Sequence, residues 1–219
     1  MEFGTRRRYS KLSQSLAISI LKMTAGKNFL GTSNVYFSMI HNVPVLGTVA
    51  HEWIMFHGAT VGYKEANNAA IKAWREVYND ELDVVLPDTY TSKTFFKTLN
   101  ETILASLSTF RQDSGDPIIF TDLLLGNYTE EDPKKTIIYS DNLNVTKVLV
   151  INKYREGEVI KKYAIGTHFT NDIEGIKPLN MVIKLDKVNG KNTIKLSDTE
   201  GKITGNPEEA LVCKKELEL

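Results

Sequence analysis

The feature that most constrains this chain is a junction that recurs along it. Short β-prone runs stop abruptly at small or polar residues: VPVLG (43–47) at Gly47-Thr48, DVVLP (83–87) at Asp88-Thr89, TIIYS (136–140) at Ser140-Asp141, and KKYAIG (161–166) at Gly166-Thr167. Segments of helical period lie between them at 64–79, 91–107 and 142–155, and another precedes them at 9–23. Strand and helix alternating through residue 170 predict an α/β architecture, since parallel strands need a crossover between them. Ligands in such folds bind beyond the carboxyl ends of the strands, where loops and helix N-termini converge. Gly, Ser, Thr and Asp are also ordinary turn and cap residues, and Asp141 is placed to cap the helix at 142–155. It is the recurrence at successive strand ends that points to a site. After residue 176 the signals turn antiparallel. Asn189-Gly190 between MVIKLDKV (181–188) and KNTIKLS (191–197) predicts a hairpin.

The 219 residues suffice for a sizeable core. Lysine plus arginine balances aspartate plus glutamate at 27 each, so no net field attracts a polyanion, despite the local cluster Arg6-Arg7-Arg8. Nucleic acid is therefore not an expected partner. Cys213 is the single cysteine, which rules out an internal disulfide and a cysteine-based zinc site. The apolar stretch SLAISILKM (15–23) is too short to span a bilayer, so a cytoplasmic protein without membrane attachment is expected.

Two segments carry chemistry. PVLGTVAHEWIMFH (44–57) sets His51 into an apolar run just after a Gly-Thr strand end. A packed, hydrogen-bonded ring is the ordinary reading of such a histidine, and it is the one given to His41 and His57. FRQDSGDP (110–117) places the planar fork of Arg111 beside Asp113 and Asp116. This is a good turn and helix-start sequence, but one that also supplies a base for phosphate and acids for a sugar diol. Lys184 and Lys195 alternate with apolar residues and are expected on a solvated face.

Taken together, FGTRRRYS (3–10), GTSNV (31–35), GTVAHEW (47–53), FRQDSGDP (110–117), IIYSDNLNV (137–145), IGTHFTND (165–172) and KPLNMVIKL (177–185) resemble the nicotinate phosphoribosyltransferases, in order along essentially the whole chain. The resemblance implies an incomplete α/β barrel of the type II phosphoribosyltransferase kind, with an antiparallel C-terminal segment. Residues 1–175 would form a partial barrel catalytic domain and 176–219 a β-hairpin and helix segment. Because the match opens in mid-domain, an N-terminal domain is expected to be missing. The implied reaction joins nicotinate to phosphoribosyl pyrophosphate, giving nicotinate mononucleotide and pyrophosphate in NAD biosynthesis. ATP hydrolysis is coupled to it through a phosphohistidine, with Mg²⁺ as cofactor and a homodimer as the full-length assembly.

Residue by residue, the resemblance makes His51 the phosphorylated histidine, with Asp88 orienting its ring. Phe3 would stack on the pyridine and Arg6 face the nicotinate carboxylate. Arg111 and Asp113 would contact the phosphoribose or its metal, Asp141 a ribose hydroxyl, and Gly166 with Thr167 the 5′-phosphate. No residue is assigned as a metal ligand. The related nicotinamide enzymes carry an aspartate at the position matching Ser33, and serine there favours the acid. The alternatives are a truncated chain that binds phosphates or nucleotides without turnover, and a nicotinamide transferase.

Overall fold

The computed structural model describes residues 1–79 and 81–219. In chain order the helices are α1 (Lys11–Ala25), α2 (Val35–His41), α3 (His51–Val61), α4 (Ala66–Tyr78), α5 (Ser92–Thr98), α6 (Glu101–Ser106), α7 (Pro117–Leu125), α8 (Val145–Lys153), α9 (Thr167–Thr170) and α10 (Pro207–Leu217). The strands are β1 (Val84–Val85), β2 (Thr109–Gln112), β3 (Thr136–Tyr139), β4 (Ile160–Tyr163), β5 (Lys187–Val188), β6 (Lys191–Asn192), β7 (Ile194–Lys195) and β8 (Thr204–Gly205). Strands β1 to β4 form a parallel sheet in sequence order, while β5 pairs β6 and β7 pairs β8 antiparallel. The mixed α/β class expected from the alternation is what the chain adopts. Among the described residues, no helix is long and apolar enough to cross a membrane.

Several boundaries differ from the periodic reading, each for a local reason. VPVLG forms no strand; Val45 makes only an isolated parallel bridge to Thr32. The sheet instead gains β2 from TFRQ, which pairs Thr109 with Val84 and Phe110 with Val85. The helical stretch 91–107 breaks at extended Leu99, because the Asn100 side chain accepts the amides of Thr102 and Ile103 and starts α6 afresh. Asn144, not Asp141, caps α8, its side chain accepting from Lys147 N at 2.8 Å. The hairpin at Asn189-Gly190 is present, both residues having the positive φ that a tight two-residue turn demands. Its strands are short, and Ile194–Lys195 pairs with Thr204–Gly205 rather than with 181–186.

The chain divides into two compact units. The first comprises 1–47, 138–156 and 161–182. Here α1 begins with a reciprocal cap, Ser10 Oγ accepting from Ser13 N at 3.0 Å and Ser13 Oγ from Ser10 N at 2.9 Å. Ile18, Phe37 and Val43 close a small apolar cluster with Phe29. The second unit comprises 48–137, 157–160 and 183–219. Its core gathers Val49, Ile54, Tyr63, Ala66, Leu86, Tyr90, Ile194, Leu196, Cys213 and Leu217, from α3, α4, the end of β1, β7 and α10. Trp53 packs on this core and donates its indole N–H to Ala70 O at 2.9 Å. The floor beneath the first turn of α3 is thereby fixed, and that turn opens with His51.

Candidate active site

The site in the second unit grows from three chain junctions. Val49 N donates to Val84 O, laying the segment before α3 along β1, so that His51 emerges as the first residue of α3 beside the end of that strand. The chain beyond β1 tightens into a 3-10 turn, Pro87–Tyr90, all of it buried. Beyond β2 it turns through Asp113-Ser114-Gly115 before Asp116 caps α7 by accepting from Ile118 N and Ile119 N. Strand period places Arg111 and Asp113 on one side of β2, while Phe110 and Gln112 face inward. Gln112 then donates to the carbonyls of Ser114 and Gly115 and stiffens the turn.

These junctions bring His51, Asp88, Asp113 and Arg111 together. His51 Nε2 lies 3.0 Å from Asp113 Oδ2 and 3.6 Å from Asp88 Oδ1, and Nδ1 lies 3.0 Å from Thr89 Oγ1. Two carboxylate oxygens on the Nε2 edge call for a proton there, so Nδ1 holds the lone pair and accepts from the Thr89 hydroxyl. The shorter carboxylate contact to the ring is thus from Asp113. Arg111 donates from Nη2 to Asp113 Oδ1 at 2.6 Å and from Nη1 to Thr48 Oγ1 at 2.9 Å, clamping the second Gly-Thr residue to the site. Burial pushes the His51 pKa below its ordinary 6.5, opposed by the hydrogen bond to Asp113 and the charge of Asp88. A lowered pKa favours the neutral ring at pH 7.

Lys195 corrects the expectation of a solvated face. It is 7% exposed and donates to Asp88 Oδ2 at 2.9 Å. Strand alternation does turn it away from Ile194 and Leu196, which enter the core, but its own side is covered by the 87–90 turn and not by water. Lys184 is half-buried. The residues after β7 complete the enclosure. Ser114 Oγ donates to Asp88 Oδ2 at 2.6 Å and accepts from Asp198 N at 2.9 Å. Asp198 accepts from Ser92 N and Ser92 Oγ, Thr199 Oγ1 accepts from Gly115 N, and Leu196 N donates to Thr89 O. Lys195, Thr89, Ser114 and Asp198 are site residues that sequence reasoning missed. The available signal was KLSD, a lysine between two core positions followed at once by capping residues.

His51, Asp88 and Asp113 each place a ligand atom within 4.8 Å of the others. The donor set does not fit Mg²⁺, which asks for oxygen ligands in an octahedral shell. Lys195 and Ser114 occupy Asp88 Oδ2, and Arg111 and His51 occupy the two oxygens of Asp113. Only Asp88 Oδ1 has no hydrogen-bond partner among these atoms, and it lies 3.6 Å from His51 Nε2.

Phe3, Arg6, Ser33, Asp141, Gly166 and Thr167 belong to the first unit. Glu2 bridges Thr32 and Ile165, with Ser33 N donating to Glu2 O and Phe3 N to Ile165 O, so Phe3, Ser33 and Gly166 are close neighbours. Glu2 is itself buried, its carboxylate taking Gln14 Nε2 at 3.0 Å, Thr32 Oγ1 at 2.5 Å and the Gly4 amide. Arg6 is the exposed residue of a 3-10 turn, Thr5–Arg7, whose other two residues are half-buried. Gly166 precedes the single turn of α9, which Thr167 begins, and Asp141 follows β3. His41 follows the ordinary reading of a hydrogen-bonded ring, whereas His57 is packed but its buried Nε2 has no hydrogen-bond partner among the described residues. His41 lies between Ser15 Oγ and Ser19 Oγ, and His57 packs against Trp53 and Phe56.

A family model described as the nicotinate phosphoribosyltransferase (NAPRTase) family matches residues 1–218. The chain belongs to that family. A curated relative, the nicotinate phosphoribosyltransferase of Chromohalobacter salexigens, is 41% identical over 100% of the chain, which covers 58% of the relative. The Methanosarcina mazei nicotinate phosphoribosyltransferase is 43% identical over 93% of the chain and 51% of its own length. Among solved structures, the nicotinate phosphoribosyltransferase from Porphyromonas gingivalis superposes with a TM-score of 0.95 at 41% identity, covering all of this chain and 59% of that one. The corresponding values for the Vibrio cholerae nicotinate phosphoribosyltransferase are 0.94, 31%, 100% and 54%. The chain therefore spans a little over half the length of these relatives of the nicotinate phosphoribosyltransferase family.

Proposed function

We propose that the chain is the C-terminal catalytic part of a nicotinate phosphoribosyltransferase, an incomplete α/β barrel in which His51 accepts a phosphoryl group from ATP. The observation that carries this reading is the placement of the His51 ring, held at Nε2 by Asp113 and presenting Nδ1 toward Thr89. In the phosphoryl step Nδ1 leaves the Thr89 hydroxyl and attacks the γ-phosphorus. The N–P bond forms as the bond from phosphorus to the β,γ-bridging oxygen breaks, and ADP departs. Nε2 keeps its proton, and Asp113 stabilises the positive charge that develops on the ring. The phosphoryl group adds negative charge to a site whose cations are Arg111 and Lys195, which links ATP cleavage to how the site holds a diphosphate.

In the transfer step the bond from the ribosyl anomeric carbon to pyrophosphate breaks and the pyridine nitrogen of nicotinate bonds to that carbon. An oxocarbenium-like centre of this kind is served by positioning and charge more than by a protein nucleophile. Mg²⁺ is assigned as the companion of the substrate phosphates. Phe3 stacks on the pyridine, Arg6 pairs with its carboxylate, and Ser33 tolerates that carboxylate. Asp141 takes a ribose hydroxyl, and Gly166 with Thr167 the 5′-phosphate. The working assembly in this reading is a homodimer of the longer enzyme.

A second reading, phosphate and nucleotide binding without turnover, is favoured by the share of the relatives that the chain spans. One assay separates the two: the chain incubated with nicotinate, phosphoribosyl pyrophosphate, ATP and Mg²⁺, beside a His51→Ala control. Mononucleotide formed above the control supports catalysis. Equal rates with retained nucleotide binding support the second reading. Incubation with γ-labelled ATP tests the acceptor directly; wild-type protein without an acid-labile label removes the phosphohistidine.

A further inference from the structure

We propose that Lys195 is a positioning residue that keeps the His51 ring neutral, by neutralising Asp88 at the Nε2 edge of that ring. Lys195 does not touch His51; it acts through Asp88. The groups facing the ring come from four elements. Asp88 stands on the 87–90 turn with Oδ1 at 3.6 Å, and Asp113 follows β2 with Oδ2 at 3.0 Å. Arg111 on β2 holds the other oxygen of Asp113, and Lys195 on β7 holds the other oxygen of Asp88. Asp198 lies beyond Lys195 and is occupied by Ser92, and Glu52, next along α3, accepts from Leu185 N. Each carboxylate beside the ring is therefore matched by one cation on its far side, and the pair of pairs carries no net charge. A neutral imidazole is the form such an arrangement favours. Removing one cation leaves a buried, uncompensated carboxylate beside Nε2, which favours imidazolium.

The geometry reserves this role for Lys195. Its Nζ is buried against Asp88, and Lys195 is only 7% exposed, with Ile194 and Leu196 fixed in the core on the opposite side. Asp88 is 1% exposed, so its charge cannot be relieved by solvent. Burial and the lysine charge both hold the His51 pKa down, against the two aspartates. The consequence for phosphoryl transfer rests on the reading of His51 as acceptor, because an imidazolium has no lone pair to give; the charge relation itself stands independently of it.

The test is an NMR titration of the His51 ring C–H signals in the full 219-residue chain, assigned by their loss in His51→Gln. Lys195→Met is expected to raise the His51 midpoint by about one pH unit or more, with Lys195→Arg restoring it. A folded Lys195→Met chain with an unmoved midpoint overturns the proposal. Should Lys195→Met fail to fold, Asp88→Asn gives the converse: with the carboxylate removed and the lysine retained, the midpoint falls, and an unchanged midpoint overturns the proposal. The double variant Asp88→Asn/Lys195→Met removes both charges and returns the midpoint to the wild-type side; a rise equal to that of Lys195→Met alone would count against Asp88 as the intermediary. A wild-type chain that takes no label from γ-labelled ATP would refute the acceptor reading while leaving these midpoints to judge Lys195.

Discussion

Replacing Gly115 by alanine tests whether the residues after β7 set the geometry of the Asp113-Ser114-Gly115 turn. Gly115 has φ +76, a left-handed conformation that costs an L-residue about 1–2 kcal/mol. A Cβ there would also stand 2.9 Å from Asp198 Cβ, closer than two carbon atoms tolerate. Asp198 cannot swing aside cheaply, since its carboxylate is held by both the amide and the hydroxyl of Ser92. Forcing it back is an overpacking event of about 1–3 kcal/mol. The expected total is therefore about 2–5 kcal/mol, against about 1–2 kcal/mol for backbone conformation alone. Gly157 isolates that second quantity: its φ is +84, and nothing lies within 4 Å of a Cβ added there. Urea or thermal unfolding of both variants gives the comparison, at about 2–4 °C per kcal/mol for a chain of this size. Gly115→Ala should lose at least twice what Gly157→Ala loses. Equal losses would refute the claim that Asp198 is pinned, and with it the argument that this segment braces the Asp113-Ser114-Gly115 turn.

Three further outcomes are expected. The pKa of both His51 and His57 is lowered by burial, so the unfolded chain binds more protons; stability is fully present above about pH 6.5 and falls as pH drops through the folded values. Urea midpoints between pH 7.5 and 5 should decline, and less steeply in His51→Gln/His57→Gln; parallel slopes would refute this. Leu196→Ala, at a position 3% exposed between α3, α10 and β7, should cost about 2–5 kcal/mol by denaturation, and a loss under about 1 kcal/mol would mean the core does not depend on it. In an active preparation, Ser33→Asp should cut the preference for nicotinate over nicotinamide by tenfold or more, about 1.4 kcal/mol, measured as the ratio of kcat/KM values. An unchanged ratio would show that Ser33 does not select between acid and amide.

Much of the candidate site was legible because it stands at ends of elements, where residue type and position coincide. His51 after Gly-Thr, Asp88 after a β-rich run, and Arg111 with Asp113 two residues apart all reflect local geometry: a first helical position, a strand end, one face of a strand. The strands 83–87, 136–140 and 161–166 were visible for the same reason. TFRQ was not recognised as a strand because four residues offer too little alternation, and its standing depends on pairing with Val84 and Val85. The stretch 91–107 looked like one helix because periodicity runs on through Leu99-Asn100; a side chain capping two amides decides otherwise.

The sequence alone determined the class of fold, three of the four parallel strands, and the residue types that follow them, because periodicity and turn chemistry are properties of neighbours along the chain. Which ends meet was decided only in three dimensions. Asp113 rather than Asp88 makes the hydrogen bond to the His51 ring, at 3.0 Å against 3.6 Å, and nothing in the local sequence of either turn distinguishes the two. Lys195 is the clearest case. Its alternation with Ile194 and Leu196 correctly turns it out of the core, but whether that side meets water or a buried carboxylate depends on a turn more than 100 residues away. Burial is a property of the whole packing, and no local pattern encodes it.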